Sequence, residues 1–89
     1  MNDVPTLVVH VVDSYDGSPV PEANVRIKKD GKYVAIGITD RNGIATFHLD
    51  PGDYVVEVRD QIHFPRERAI SFPEIDTVKI ELVKRTWTR

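Results

Sequence analysis

Cysteine is absent from this chain of 89 residues, which removes disulfides, thiolate metal sites and thiol nucleophiles together. The compartment stays open, because an extracellular module also folds without cysteine. No stretch approaches the roughly 20 apolar residues of a membrane-spanning helix, so no membrane insertion is expected. The opening MNDVPTLVV lacks the basic segment and long apolar run of a secretory signal, so no address is legible in this chain. Neither sign of charge dominates: the formal charge is −2, too weak a field to draw nucleic acid. Helical periodicity is missing as well, since no window sustains the 3.6-residue apolar repeat of an amphipathic helix.

What remains is the composition of an ordinary globule, 40% hydrophobic and 29% charged, in a length suited to one domain that buries roughly 60–70% of its unfolded surface. Period-two alternation recurs in segments about ten residues apart, the spacing of sandwich strands. The pattern predicts strands at Leu7 to Val12, Ala23 to Lys28, Tyr33 to Thr39, Ile44 to Leu49, Tyr54 to Arg59, Ala69 to Phe72 and Thr77 to Val83. Turn-forming clusters separate them: Asp13 to Pro19, Asp30-Gly31, Asp40 to Gly43 and Asp50 to Asp53. In the third strand Val34, Ile36 and Ile38 are expected to point inward. Gly43 and Gly52 are both expected at positive φ, where a β-carbon is costly. Alternation lapses from Asp60 to Arg68, and Phe64-Pro65 argues for an irregular connection. With no crossover helix, the strands imply one all-β domain over residues 1–83, an antiparallel two-sheet sandwich, followed by a basic tail at 84–89.

Two segments carry a resemblance. Gly17-Ser18-Pro19-Val20 through Ala23, Val25 and Ile27, and the run TDRNGIATFHLDPGDYVVEV from Thr39 to Val58, resemble the opening and centre of carboxypeptidase regulatory-like domains. The likeness covers about three quarters of the chain and fades after Asp60. It implies a seven-stranded Greek-key sandwich of the transthyretin-like, immunoglobulin-like kind. It further implies a non-enzymatic accessory module with a structural or protein-interaction role, leaning to the cell surface or exterior. Its partner is expected to be a second protein chain or neighbouring domain, or a further copy of this chain joined through the first strand.

An alternative rests on Val9-His10-Val11-Val12-Asp13 followed by Gly17-Ser18-Pro19. That segment is similar to the first strand and turn of transthyretin and of 5-hydroxyisourate hydrolase, and implies a small-ligand binder or hydrolase-like oligomer with its site at His10. Of the residues the hydrolase family uses, only His10 is matched. Ile44 stands where the hydrolases have an arginine, and the His-Tyr-His and terminal Tyr-Arg-Gly-Ser segments are missing. Water activation and charge stabilisation together need more than one histidine, so no enzyme is expected. No cofactor is expected either, because His10, His48 and His63 fall on separate segments without zinc-like spacing. Asp13, Asp16, Asp40 and Asn42 have the oxygen donors calcium favours, although turn formation accounts for all four. The first strand has no lysine and the last no asparagine, which sets aside an internal Lys–Asn crosslink.

The candidate interaction residues lie elsewhere. If Leu7, Val9 and Val11 face the core, Val8 and Val12 flank His10 on an outer face that is normally polar. Such an apolar strip is a contact surface for another chain, or is covered by the Asp60 to Arg68 loop or the tail if the first strand is an edge. Phe64 is expected to plug one end of the sandwich. Trp87, among Lys84, Arg85 and Arg89, is either a second plug or, with Phe64, a stacking platform of a glycan-binding module.

Overall fold

The computed structural model describes residues 5–85. Seven strands follow one another there: β1 Thr6–Asp13, β2 Asn24–Lys29, β3 Lys32–Ile38, β4 Ile44–His48, β5 Gly52–Arg59, β6 Arg66–Phe72 and β7 Thr77–Leu82. They form two sheets, ordered β4-β1-β7 and β3-β2-β5-β6, and the alternate residues of both sheets make one core. Leu7, Val9 and Val11 of β1 with Val78, Ile80 and Leu82 of β7 pack in one cluster with Val25 and Ile27 of β2 and Val56 and Val58 of β5. Each such side chain contributes ~1.5–3 kcal/mol by leaving water. The all-β sandwich expected from the alternation is the fold of the protein.

Turn chemistry locks the register. Asp30 and Gly31 both adopt positive φ, 53° and 78°, the pair of conformations that a two-residue hairpin needs to match strand twist. Asp40 Oδ1 accepts the N–H groups of Asn42 and Ile44 at 2.8 and 3.0 Å, closing the turn into β4. Asp16 Oδ1 likewise accepts from Ser18 N–H and hydroxyl at 3.0 and 2.7 Å. Thr39, buried just after β3, braces the approach to β2: its hydroxyl donates to the Val20 carbonyl at 2.7 Å and accepts the Ala23 N–H at 2.8 Å. Thr39→Val preserves the shape but strands both backbone groups. A loss of about 1–3 kcal/mol is expected, read from the urea midpoint; an unchanged midpoint would remove this role from the hydroxyl.

Four features depart from the alternation-based expectations. Strand β1 is not an edge: it lies between β4, paired antiparallel, and β7, paired parallel. It therefore has no free edge through which to join another copy. The parallel β1–β7 pair contrasts with the otherwise antiparallel pairing of the described strands. Strand β3 presents the opposite face to the one expected. Ala35 and Gly37 turn inward, while Val34, Ile36 and Ile38 are exposed. The reason is volume, since a β-carbon at Gly37 would stand 3.0 Å from the Phe47 ring, so the large aromatic of β4 requires small residues opposite. A register shift between Ile27 and Lys28 accompanies this facing. Finally, Gly52 lacks the positive φ expected of it, whereas Gly43 has it at 76°.

Candidate functional site

The outer face of the β4-β1-β7 sheet is built in rows across the strands. His10 of β1 is the register partner of Ile44 on β4 and of Lys79 on β7, and such partners share a face with backbones about 4.8 Å apart. The next row sets Val8 between Thr46 and Thr77. The middle of the face is thus apolar to weakly polar, followed by the row that sets His10 beside Lys79 and then by the row that sets Val12 beside Glu81. His10 is half-buried and Lys79 exposed. Lys79 is the residue that sequence reasoning missed: it alternates as a solvent-facing residue of the last strand, and only the parallel pairing brings it beside His10.

The remaining predicted residues do not form one site. Val12, expected on the outer strip, is 2% exposed and bridges backbone to backbone with Pro19, so it is covered within the chain. The strip is reduced to Val8 and His10. Phe64 is no plug: it is 53% exposed, because its loop is held by its neighbours and leaves the ring outside with the Arg85 guanidinium 5.6 Å from its centroid. Trp87 lies outside the described residues.

A second polar constellation sits at the end of β1. His63, from the segment where alternation lapses, is almost fully buried. Its Nε2–H donates to Asp13 Oδ2 at 2.8 Å, and its Nδ1–H faces both oxygens of Asp60 at 2.9 and 2.8 Å. Lys84 Nζ stands 3.6 Å from Asp13 Oδ2, and the Tyr15 N–H donates to Asp13 Oδ1 at 2.8 Å. The hydrogen bond from His63, then that from Tyr15, holds the Asp13 carboxyl below its ordinary range. The surrounding backbone is zipped as well: Phe64 N–H bonds the Val83 carbonyl and Arg85 N–H the Ile62 carbonyl, each at 2.8 Å. Both ring nitrogens lie within hydrogen-bond distance of a carboxylate, and the contacts tie the loop to the end of β1.

A recess in the other sheet is separate from His10. A groove of about 740 Å³ runs between the Asp30-Gly31 turn, β5, β6 and the turn after it, lined by Lys28, Asp53, Val55, Ala69, Ser71 and Glu74 among others. It is open to solvent and lined by charges of both signs.

A two-sheet sandwich with strand orders β4-β1-β7 and β3-β2-β5-β6 has the transthyretin-like fold. Within that class the family is set by residues 6–83, which match the model of the carboxypeptidase regulatory-like domain; the chain belongs to that family. Among solved structures the chain is similar to 5-hydroxyisourate hydrolase from Klebsiella pneumoniae, with a TM-score of 0.72 at 20% identity over 93% of this chain and 94% of the other. No curated protein matches the chain in sequence. At that identity the likeness carries the fold. It nevertheless corrects the expectation that the chain is no enzyme, because an enzyme shares this fold along almost the whole of both chains, and the missing motifs alone no longer exclude hydrolysis.

Proposed function

We propose that the chain is a transthyretin-like small-ligand protein whose site is the outer face of β4-β1-β7 at His10, acting on a planar, anionic heterocycle of the 5-hydroxyisourate type. The observation that carries this reading is the row Ile44, His10, Lys79. Hydrolysis of a ring carbonyl needs a base for water and a cation for the oxygen that becomes negative. His10 takes the water proton as the new C–O bond forms and returns it to the leaving nitrogen as the ring C–N bond breaks. Lys79 holds the developing oxyanion in place of the arginine that hydrolases carry where this chain has Ile44. The apolar Val8 and Ile44 side chains offer a stacking floor. In this reading two copies bring these faces together, which excludes water and raises the worth of both charges.

The test is decay of 5-hydroxyisourate, generated from urate, followed by absorbance with wild type, His10→Ala and Lys79→Ala. Wild type is expected to exceed the spontaneous rate, and each variant to lose roughly 10²-fold of the excess, the usual worth of a general base or an oxyanion donor. Urate itself, as a non-hydrolysed probe, is expected to shift the His10 ring resonances. Decay at the spontaneous rate together with unmoved His10 signals would overturn the assignment.

A further inference from the structure

The asparagines of the chain are Asn2, Asn24 and Asn42, and Asn42 alone precedes a glycine. That order of residues has a spontaneous chemistry. The backbone nitrogen of the following residue attacks the side-chain amide carbon, an approach that glycine, having no β-carbon, obstructs least. The new C–N bond closes a five-membered imide, and the amide nitrogen leaves as ammonia with the proton of the attacking N–H. Water then opens the ring at either carbonyl. One opening gives aspartate; the other gives isoaspartate, in which the main chain runs through the former side chain and is longer by a carbon.

The fold holds both reactants in a fixed turn. Gly43 is buried, and its N–H donates to the Asp40 carbonyl at 2.9 Å while its carbonyl accepts the Val11 N–H at 2.7 Å. The Asn42 N–H is held in turn by Asp40 Oδ1 at 2.8 Å. The peptide that joins Asn42 to Gly43 is thus tied at both ends. Ring closure needs this peptide to swing until its nitrogen stands over the Asn42 side-chain carbonyl, a rotation that the bond from Gly43 to Asp40 opposes. Asn42 itself is exposed, so the turn, rather than access to water, is what restrains the step.

We propose that Asn42 is a site of spontaneous deamidation gated by the opening of this turn, and that its isoaspartate product breaks the join between β1 and β4. Asp40 is the latch. Its Oδ1 also accepts the Ile44 N–H at 3.0 Å, and its own N–H donates to the Ile44 carbonyl at 2.9 Å, so one residue closes the turn on both sides. A main chain lengthened between Asn42 and Gly43 displaces Gly43, whose seat admits no further atom: a β-carbon there would already collide with the Val11 carbonyl oxygen. Aspartate at the same position leaves the main chain unchanged, so the two products differ in effect. Ile44, the register partner of His10, follows directly, and isoaspartate disturbs that row whatever the row binds.

The test incubates the chain at mildly alkaline pH and follows conversion of Asn42 by peptide mapping, which separates it from the slower ring closure at Asp16-Gly17 and Asp30-Gly31. The folded chain is expected to convert roughly tenfold or more slowly than the chain in denaturing urea, because the ring forms only in the open turn. Asp40→Ala is expected to speed conversion of the folded chain roughly tenfold, the effect on a local opening of losing a charged hydrogen-bond acceptor, and to leave the rate in denaturing urea unchanged. Asp40→Asn, which keeps an oxygen acceptor, is expected to stay near wild type. Hydrogen exchange of the Gly43 amide reads the same opening and is expected to rise with conversion by the same factor. Should Asp40→Ala not fold, urea below the unfolding midpoint gives the same comparison on wild type. The purified isoaspartate product is expected to melt below Asn42→Asp. Equal conversion of folded and unfolded chains, conversion that rises without faster Gly43 exchange, an unchanged folded rate in Asp40→Ala, or an isoaspartate product as stable as Asn42→Asp would each overturn the proposal.

Discussion

Gly43→Val is expected to leave no folded protein at 25 °C, and Gly43→Ala to lose about 3 kcal/mol or more, a large share of the 5–15 kcal/mol that holds a domain together. Two costs coincide. The residue sits at φ 76°, where a β-carbon is strained by about 1–2 kcal/mol and a β-branched residue is an outlier. A β-carbon would also collide with the Val11 carbonyl oxygen and stand 3.1 Å from the Val20 nitrogen. Neither neighbour can retreat, because the Val11 carbonyl accepts the Val20 N–H at 3.0 Å and the Val11 N–H bonds the Gly43 carbonyl at 2.7 Å. Gly43→Asn separates the two costs, since asparagine tolerates the left-handed region but not the collision. A stability of Gly43→Asn within about 0.5 kcal/mol of wild type, the range of a surface change, would show the collision to be relieved cheaply. Gly52→Ala makes the contrast: its β-carbon would meet only the flexible end of Lys29, at 2.9 Å, and the change is expected to cost less than about 1 kcal/mol.

The two glycines also mark where the sequence is informative. Both stand in turn clusters that open with an aspartate, Asp40 and Asp50, and local chemistry cannot tell them apart. What distinguishes Gly43 is the backbone of β1 passing over it, a contact between residues 32 apart in sequence. Strand β3 fails for a related reason. Tyr-Val-Ala-Ile-Gly-Ile alternates large with small, and burying the large residues is the sound choice until Phe47 is known to occupy the space opposite. Most of the fold was nevertheless legible, because β2, β4, β5 and β7 alternate cleanly and the turns carry residues whose own side chains close them, as Asp16 and Asp40 do.

The candidate site was half legible. His10 stands out as a polar residue between valines, and the place of Ile44 follows from the Asp-x-x-Gly turn before it. Lys79 does not stand out, because its relation to His10 depends on a parallel pairing of the first strand with the last, which no local pattern encodes. The same holds for His63 and Asp13, hydrogen-bonded across a separation of 50 residues. In the sequence one is a stray histidine in an irregular loop and the other a turn aspartate.

That buried pair carries the second large effect. His63→Ala removes the imidazole from Asp13 and Asp60 at once and leaves the covered Asp13 carboxylate with the Tyr15 N–H and the exposed Lys84 ammonium at 3.6 Å. Breaking a buried ion pair from one side is among the costliest single changes, and a fall in melting temperature of roughly 10 °C or more is expected, against about 2 °C or less for the exposed His48→Ala. The pH dependence distinguishes an ionic tie from lost packing. Asp13 has a folded pKa below its unfolded one, chiefly through the His63 hydrogen bond. Its contribution is therefore complete above about pH 4 and fades as pH falls through the lower folded value. The stability gap between wild type and His63→Ala, measured by urea unfolding, should accordingly be full at neutral pH and narrow below about pH 4, as protonated Asp13 ceases to need its partner. A packing defect would keep the same gap at every pH. A gap that does not narrow would show that His63 holds its loop by filling space, with the two carboxylates as bystanders.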